Sequence, residues 1–271
     1  MPPVASRQPP TDRVTASYPF SSALITGASS GIGEAMVQLL GEAGIPQVIV
    51  ARRVDRLEEL AARFNDVEVL PADLMTTEGV ETVVRRVADP QHPIDLVVNN
   101  AGFGTSGEFD VLDPERMSAE VNLNVLALTL ISRAALGVMV PAGRGYLLNV
   151  SSVVSFQPAP KLAVYAATKA YVTSLSESLH EEVRGTGVHV TALCPGLTRT
   201  EFQSVSRTDS YTWRYPSMVW MSATAVAAAG LRDVAKGDAL SVPGGFNKAL
   251  AAMSSVAPRT LLRRVAGFVQ R

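Results

Sequence analysis

Short apolar runs alternate along the chain with longer stretches of helical periodicity. This alternation constrains the fold more than any other feature. The runs are ALIT (23–26), QVIVA (47–51), VEVL (67–70), IDLVVNN (94–100), GYLLNVSS (145–152), VHVTALCP (188–195) and ALSVP (239–243). Several are apolar almost throughout, as strands covered on both faces must be. Helical patterns lie between them at 31–43, 54–64, 77–88, 114–140, 163–183 and 223–235. Strand-helix alternation of this kind predicts α/β architecture: one doubly wound parallel sheet with helices on both faces. Residues 199–222 form the one long irregular insertion, and no internal repeat or second domain is evident.

The chain has 271 residues, 47% of them hydrophobic, enough for one large core without disulfides or metals. A net charge of -1 gives no reason to expect nucleic acid as a partner. The single cysteine, Cys194, excludes an internal disulfide, fits a reducing compartment and reads as a buried structural thiol. No apolar run reads as long enough to span a bilayer. The first 20 residues are rich in proline and polar groups and lack the apolar centre of a signal peptide. They read as a flexible extension, and the expected location is cytoplasmic.

The first apolar run opens into TGASSGIG and then a helix. Gly27, Gly31 and Gly33 permit a tight turn and close approach of backbone to a pyrophosphate. The helix start offers free N–H groups and a favourable dipole. Gly27, Ser29, Ser30, Gly31, Ile32 and Gly33 therefore read as a dinucleotide cradle. The spacing is G-x-x-x-G-x-G, not G-x-G-x-x-G. A carboxylate about 20 residues past the glycines would serve a ribose hydroxyl; this chain instead has Arg52 and Arg53 at the end of its second run. A guanidinium binds a 2′-phosphate in forked geometry, where a carboxylate would repel it. The pair predicts NADP; two solvated arginines at a helix start are the plainer alternative.

In VYAATKAYV, Tyr165 and Lys169 are four apart, on one helix face. A lysine beside a phenol favours phenolate and lowers a pKa that starts near ~10. Such a tyrosine can exchange a proton with an alcohol or carbonyl near neutral pH. Ser152 ends a strand thirteen residues earlier. Its neighbour Ser151 faces the other way, because adjacent strand residues alternate.

These segments resemble the short-chain dehydrogenase/reductase family. TGASSGIG, ADL (72–74), NNAG (99–102), NLNV (122–125), NVSS (149–152), YAATK (165–169) and PGLTRT (195–200) occur in the family's order. The match covers about residues 22–200 and implies a Rossmann fold. It implies Tyr165 as proton donor or acceptor, Lys169 as the group that lowers its pKa and binds the nicotinamide ribose, and Ser152 as a hydrogen-bond partner of the reacting oxygen. It implies Asn124 as the holder of a water that links Lys169 to solvent; Asn122, two residues earlier, is the less fitting choice. Asp73 and Leu74 would border the adenine, and Asn100, Ala101 and Gly102 would lie along the cofactor. Thr200 with Leu197 would contact its carboxamide side, and Pro195 and Gly196 would also bind the cofactor. The two arginines resemble the family's NADP-preferring form. Tyr171 has no lysine four residues on and reads as packing.

The histidines carry no metal pattern, since HEEVR at 180–184 lacks the second histidine. No metal is expected. Asn149 matches a glycosylation acceptor but sits in a core strand. The insertion 199–222 resembles the family's substrate lid. Phe202, Tyr211, Trp213, Tyr215, Met218, Trp220 and Met221 suit either an apolar pocket, with Phe103 and Phe156 joining them, or packing on the scaffold. The organisation expected is an extension at 1–20, a dinucleotide-binding and catalytic domain at 21–246 including that lid, and a helical tail at 247–271. In the tail, Leu261, Leu262, Val265, Phe268 and Val269 share one helix face. Burial of that face in protein is expected, with a membrane interface as the alternative. The whole reads as an NADP-dependent oxidoreductase acting on an apolar carbonyl or secondary alcohol, assembled as a homodimer or homotetramer. A cofactor-binding protein without catalysis is the competing reading.

Overall fold

The structure, a computed structural model, describes residues 18–206 and 216–269. Its strands are β1 (Ala23–Thr26), β2 (Gln47–Ala51), β3 (Val67–Pro71), β4 (Leu96–Asn99), β5 (Gly145–Val150), β6 (Val188–Leu193), β7 (Thr198–Arg199), β8 (Met221–Ser222) and β9 (Leu240–Ser241). Seven of them form a parallel sheet in the order β3-β2-β1-β4-β5-β6-β9, and β7 pairs with β8 apart from it. The order reverses between β1 and β4, so the loops leaving these neighbours diverge and open a crevice at their carboxyl ends.

The two faces of the sheet take alternate residues of each strand. Ile25, Ile49, Leu96, Val98 and Leu148 pack with α1 (Gly31–Glu42) and Val226, Leu231 and Val234 further along the chain. Leu24, Val48, Val97 and Leu147 pack on the other face with Val83 of α3 (Thr77–Val87) and Ile131, Ala135 and Met139. Because both faces are covered, these strands are apolar almost throughout instead of alternating with polar residues. The α2 helix (Val54–Ala61) buries only Leu57 and Leu60.

The expected helix 114–140 is continuous in path but not in hydrogen bonding. It comprises α4 (Pro114–Val121), a π-helical stretch Asn122–Ala127, and α5 (Leu128–Ala142). Together, Pro114–Ala142 is long and apolar enough by composition to cross a membrane, which corrects the reading of the sequence. In this fold its residues Leu128, Ile131, Ala135 and Met139 face the sheet. Residues 18–20, expected to belong to a flexible extension, pack on the domain. Tyr18 stacks on Phe20, which is buried with its ring edge-on to Tyr146, and the Ser21 and Ser22 backbones donate to the Asp95 carboxylate. Two aromatic rings bury enough apolar area to hold this segment on the domain; residues 1–17 lie outside the described residues.

After α6 (Ala163–Glu182), the insertion contains the four-residue α7 (Phe202–Val205) and the β7–β8 pair, so it is less irregular than expected. Next come α8 (Ala223–Lys236) and two terminal helices, α9 (Gly245–Val256) and α10 (Arg259–Val269). In α9, Asn247 is buried and donates to the Pro243 carbonyl, and Ser254 donates to Gln157, so this part of the tail packs on the domain. Of the tail's apolar face, the side chains of Leu261, Val265, Phe268 and Val269 lie outside the described residues.

Leu148 is fully buried in the β1–α1 face of the core. Leu148→Ala removes its apolar contacts and leaves a cavity, and urea denaturation should show a loss of about 2–5 kcal/mol.

Candidate active site

The crevice is built from the glycine turn outward. The Thr26 hydroxyl donates to the Val98 carbonyl (3.2 Å) and accepts from the backbone N–H of Asn100 (3.0 Å) and Ala101 (3.1 Å). Asn100 Nδ2 in turn donates to the carbonyls of Thr26 (2.9 Å) and Gly27 (3.1 Å). The turn is thereby fastened to the end of β4. Gly27 has a φ of +65°, and a Cβ on Gly33 would lie 2.4 Å from the Gly27 carbonyl oxygen, so both positions need glycine. Ser30 caps α1 without a side-chain hydrogen bond. The first N–H groups of α1 are therefore not capped by it, which suits an anion against this turn. Thr200 lies over the turn, its methyl 3.0 Å from where a Gly31 Cβ would be.

The arginines stand beside this cradle. Arg53 donates to the Ser29 hydroxyl (3.1 and 3.2 Å) and carbonyl (3.2 Å) and pairs with Glu201 (3.0 Å). Arg52 stands 3.9 Å from the Asp73 carboxylate and is largely exposed. Leu74 is buried in the core next to them. Both guanidinium groups stand on the rim, their ion pairs made to exposed carboxylates, and suit a third anion.

Deeper in, α6 carries Tyr165 and Lys169, one turn apart and both buried. Lys169 Nζ donates to the Val150 carbonyl (2.8 Å) at the end of β5 and lies 5.7 Å from the centre of the Tyr165 ring. Burial pulls its pKa down to about 8, while negative charge nearby works the other way. The two serines separate as alternation requires. Ser151 donates to the Lys169 carbonyl (2.8 Å) and meets Thr173 (2.7 Å), inside the core. Ser152 turns the opposite way, its hydroxyl accepting, among the described residues, from the Val154 N–H (3.3 Å).

The π-helical stretch decides between the two asparagines. Widening the turn by one residue rotates Asn122 to the surface and Asn124 inward. Asn124 is 1% exposed, donates to the Phe103 carbonyl (2.8 Å) and Thr168 (3.2 Å), and accepts from the Phe103 N–H (3.2 Å). Gly102 runs against it: a Cβ there would lie 2.8 Å from Asn124 Oδ1 and 3.5 Å from Lys169 Nζ. Asn124 and Lys169 thus meet at Gly102, Tyr165 lies one turn from Lys169, and Ser152 follows the carboxyl end of β5.

The far wall comes from 195–206. The Pro195 carbonyl accepts from Val153, Gly196 packs against Asn247, and the Leu197 carbonyl accepts from Met221. Of the lid aromatics, Phe202 meets the Tyr165 ring at 5.3 Å, while Trp220 lies under the Arg199 guanidinium and Met221 joins the core. Met218 is exposed; Tyr211, Trp213 and Tyr215 lie outside the described residues. Phe103 lies under Arg116, and Phe156 packs against the small apolar cluster around Cys194. Tyr171 is more exposed than a packing role implies, its hydroxyl meeting Thr129 at 3.0 Å. Cys194 is buried, its thiol pushed up to about 11, and Asn149 is fully buried within a polar network.

Sequence reasoning passed over three residues beside the site. Arg116 donates to the carbonyls of Gly104 (3.2 Å) and Val205 (2.6 Å) and so joins the loop after β4 to the lid. The Ser206 hydroxyl accepts from the Gly104 N–H (2.9 Å) and strengthens that join. Glu120, one turn past Arg116, is fully buried. Its signal was a carboxylate just before an apolar helical run.

The family model described as short chain dehydrogenase matches residues 21–210. An "uncharacterized oxidoreductase" of Staphylococcus epidermidis is 35% identical over 179 residues, which is 66% of this chain and 78% of that protein. Among solved structures, a short-chain dehydrogenase from Sphingobium yanoikuyae in complex with NADPH is similar with a TM-score of 0.77 and 32% identity, over 88% of this chain and 96% of that one. A bulky-bulky ketone specific alcohol dehydrogenase from Comamonas testosteroni has a TM-score of 0.73 and 29% identity, over 88% and 95%.

The opposed serines give a test by stability. Ser151→Ala strands buried partners and should cost about 1–3 kcal/mol in urea denaturation. Ser152→Ala, which loses one long hydrogen bond at the crevice, should stay within about 0.5 kcal/mol of the parent.

Proposed function

This chain belongs to the short-chain dehydrogenase family, oxidoreductases that bind NAD(P) and act on small molecules, and from that premise we propose that it interconverts an apolar carbonyl and its secondary alcohol with NADP(H). The convergence of Tyr165, Lys169, Ser152 and Asn124 beside the glycine turn carries this reading. When bound, the nicotinamide supplies or accepts the hydride. The α1 turn and Gly102 would hold the dinucleotide, with Lys169 against its nicotinamide ribose and Arg52 and Arg53 against a 2′-phosphate.

The protein's own part is proton transfer and positioning. The Lys169 ammonium favours the phenolate of Tyr165, so the phenol can give a proton to a developing alkoxide and recover it near neutral pH. Ser152 donates to the reacting oxygen and fixes it against Tyr165. Asn124 holds the loop at Phe103 and, with its inward side chain, the solvent path behind Lys169. Phe202 over Tyr165 supports an apolar substrate, as does the similarity to a ketone-specific enzyme.

Cofactor choice is measured by titration calorimetry. NADPH should bind more tightly than NADH, and Arg53→Ala should reduce that preference about tenfold or more, the worth of a charge-assisted hydrogen bond. Equal affinities in the parent protein would refute the NADP assignment.

The chemistry is measured on a panel of ketones with NADPH, followed by nicotinamide absorbance. Tyr165→Phe keeps the ring and loses the proton. NADPH should still bind, while kcat falls about 10²- to 10⁴-fold. A variant with near-parental kcat would rule out Tyr165 as the acid.

A further inference from the structure

Glu120 is fully buried in the last turn of α4, and neither carboxylate oxygen has a hydrogen-bond partner among the described residues. The buried hydroxyl of Thr105 adjoins the carboxyl without reaching hydrogen-bond geometry, and Nε of Arg116 is equally unpaired. These groups lie under the loop 103–105, which also touches Asn124 and the Tyr165 ring. Across them, α4 packs on α6, and the charges of Glu120 and Lys169 act on each other. A leucine or methionine would fill this space with no desolvation cost, whereas an unpaired buried carboxylate is destabilising. The advantage of glutamate here must come from its charge.

We propose that Glu120 is the buried carboxylate partner of Lys169, a positioning residue that keeps the Lys169 ammonium protonated behind Tyr165. This rests on the proposed roles of Tyr165 and Lys169. The charged groups facing Glu120 are Lys169 from α6 and Arg116 from its own helix, with Thr105 as the neutral neighbour. Lys169 is faced by Glu120 and by the Cys194 sulfur. Burial pushes that thiol up to about 11, so near neutral pH it is uncharged, and among the described residues Glu120 is the carboxylate that acts on Lys169. Burial raises Glu120 itself to about 6, against the pull of Thr105, Lys169 and Arg116, and lowers Lys169 to about 8. Between those values both groups are ionised, and little salt reaches them to screen the pair. Below about 6 Glu120 becomes neutral and its effect on Lys169 vanishes.

The test compares the parent with Glu120→Gln and the apolar Glu120→Met across pH. In the reductive direction, the alkaline limb of kcat should move down by about one pH unit in both variants, because Lys169 discharges earlier. Below about pH 6 the variants should converge on the parent, since Glu120 is neutral there. A structural role alone would lower kcat equally at every pH, and such parallel profiles in either folded variant overturn the proposal. Urea denaturation without cofactor tests the same coupling independently of turnover. A folded-state pKa below the unfolded one means that the parent gains stability as pH rises from about 8 toward 10.5, where only the unfolded lysine still holds its proton. In the variants that gain should begin at lower pH; an unmoved onset overturns the proposal. Should no ketone be turned over, the proposed activity fails, and the denaturation series still decides the role of Glu120.

Discussion

The Thr26 hydroxyl uses its full hydrogen-bonding capacity to join β1 to β4: one donation to Val98 and two acceptances from Asn100 and Ala101. The sheet order reverses between these strands, so their loops would otherwise separate freely. The Asn100 amide completes the tie from the other side by holding the Thr26 and Gly27 carbonyls. The position of the glycine turn relative to Gly102, and through it to Asn124 and Lys169, depends on these few bonds. Asn100 therefore shapes the cradle instead of merely lining it.

A second constraint is the polar interior that the site requires. Asn99 donates to Asn149 and Ser132, and Asn149 donates to Ser176, all buried among aliphatic strands and helices. Such a network stabilises when its members are paired, and its directional bonds set β4, β5, α5 and α6 in one register. Lys169 is anchored differently, through one bond to the Val150 carbonyl and through charge. The segment ending at Ser206 is tied to this interior by Arg116 and by Ser206 itself, which hold the loop at Gly104 close to Tyr165.

The fold was legible wherever a period of two or 3.6 met an uninterrupted apolar pattern. β1, β2 and the glycine turn fall at their expected residues, and β5 and β6 differ only at their ends. Tyr165, Lys169, Ser152 and Asn124 were also legible, because they sit in short local motifs. The packing of Tyr18 and Phe20 was hidden by their proline-rich polar neighbours, because Phe20 finds Tyr146 far along the chain and Tyr18 stacks on Phe20. The π-helical stretch could not be read either, since one extra residue in a turn leaves the apolar pattern of 114–140 almost unchanged.

By itself, the sequence determined the parallel sheet, the glycine turn and the residue types of the candidate site. These depend on local periodicity, on glycine where a side chain cannot fit, and on residues one helical turn apart. Only the tertiary structure decided that Arg53 is held between Ser29 and Glu201, and that Glu120 shares a buried region with Lys169. The physical reason is the same in each case. Burial and electrostatic coupling depend on which distant segments pack together, and residues 49 positions apart can sense each other's charge only after α4 has been laid on α6.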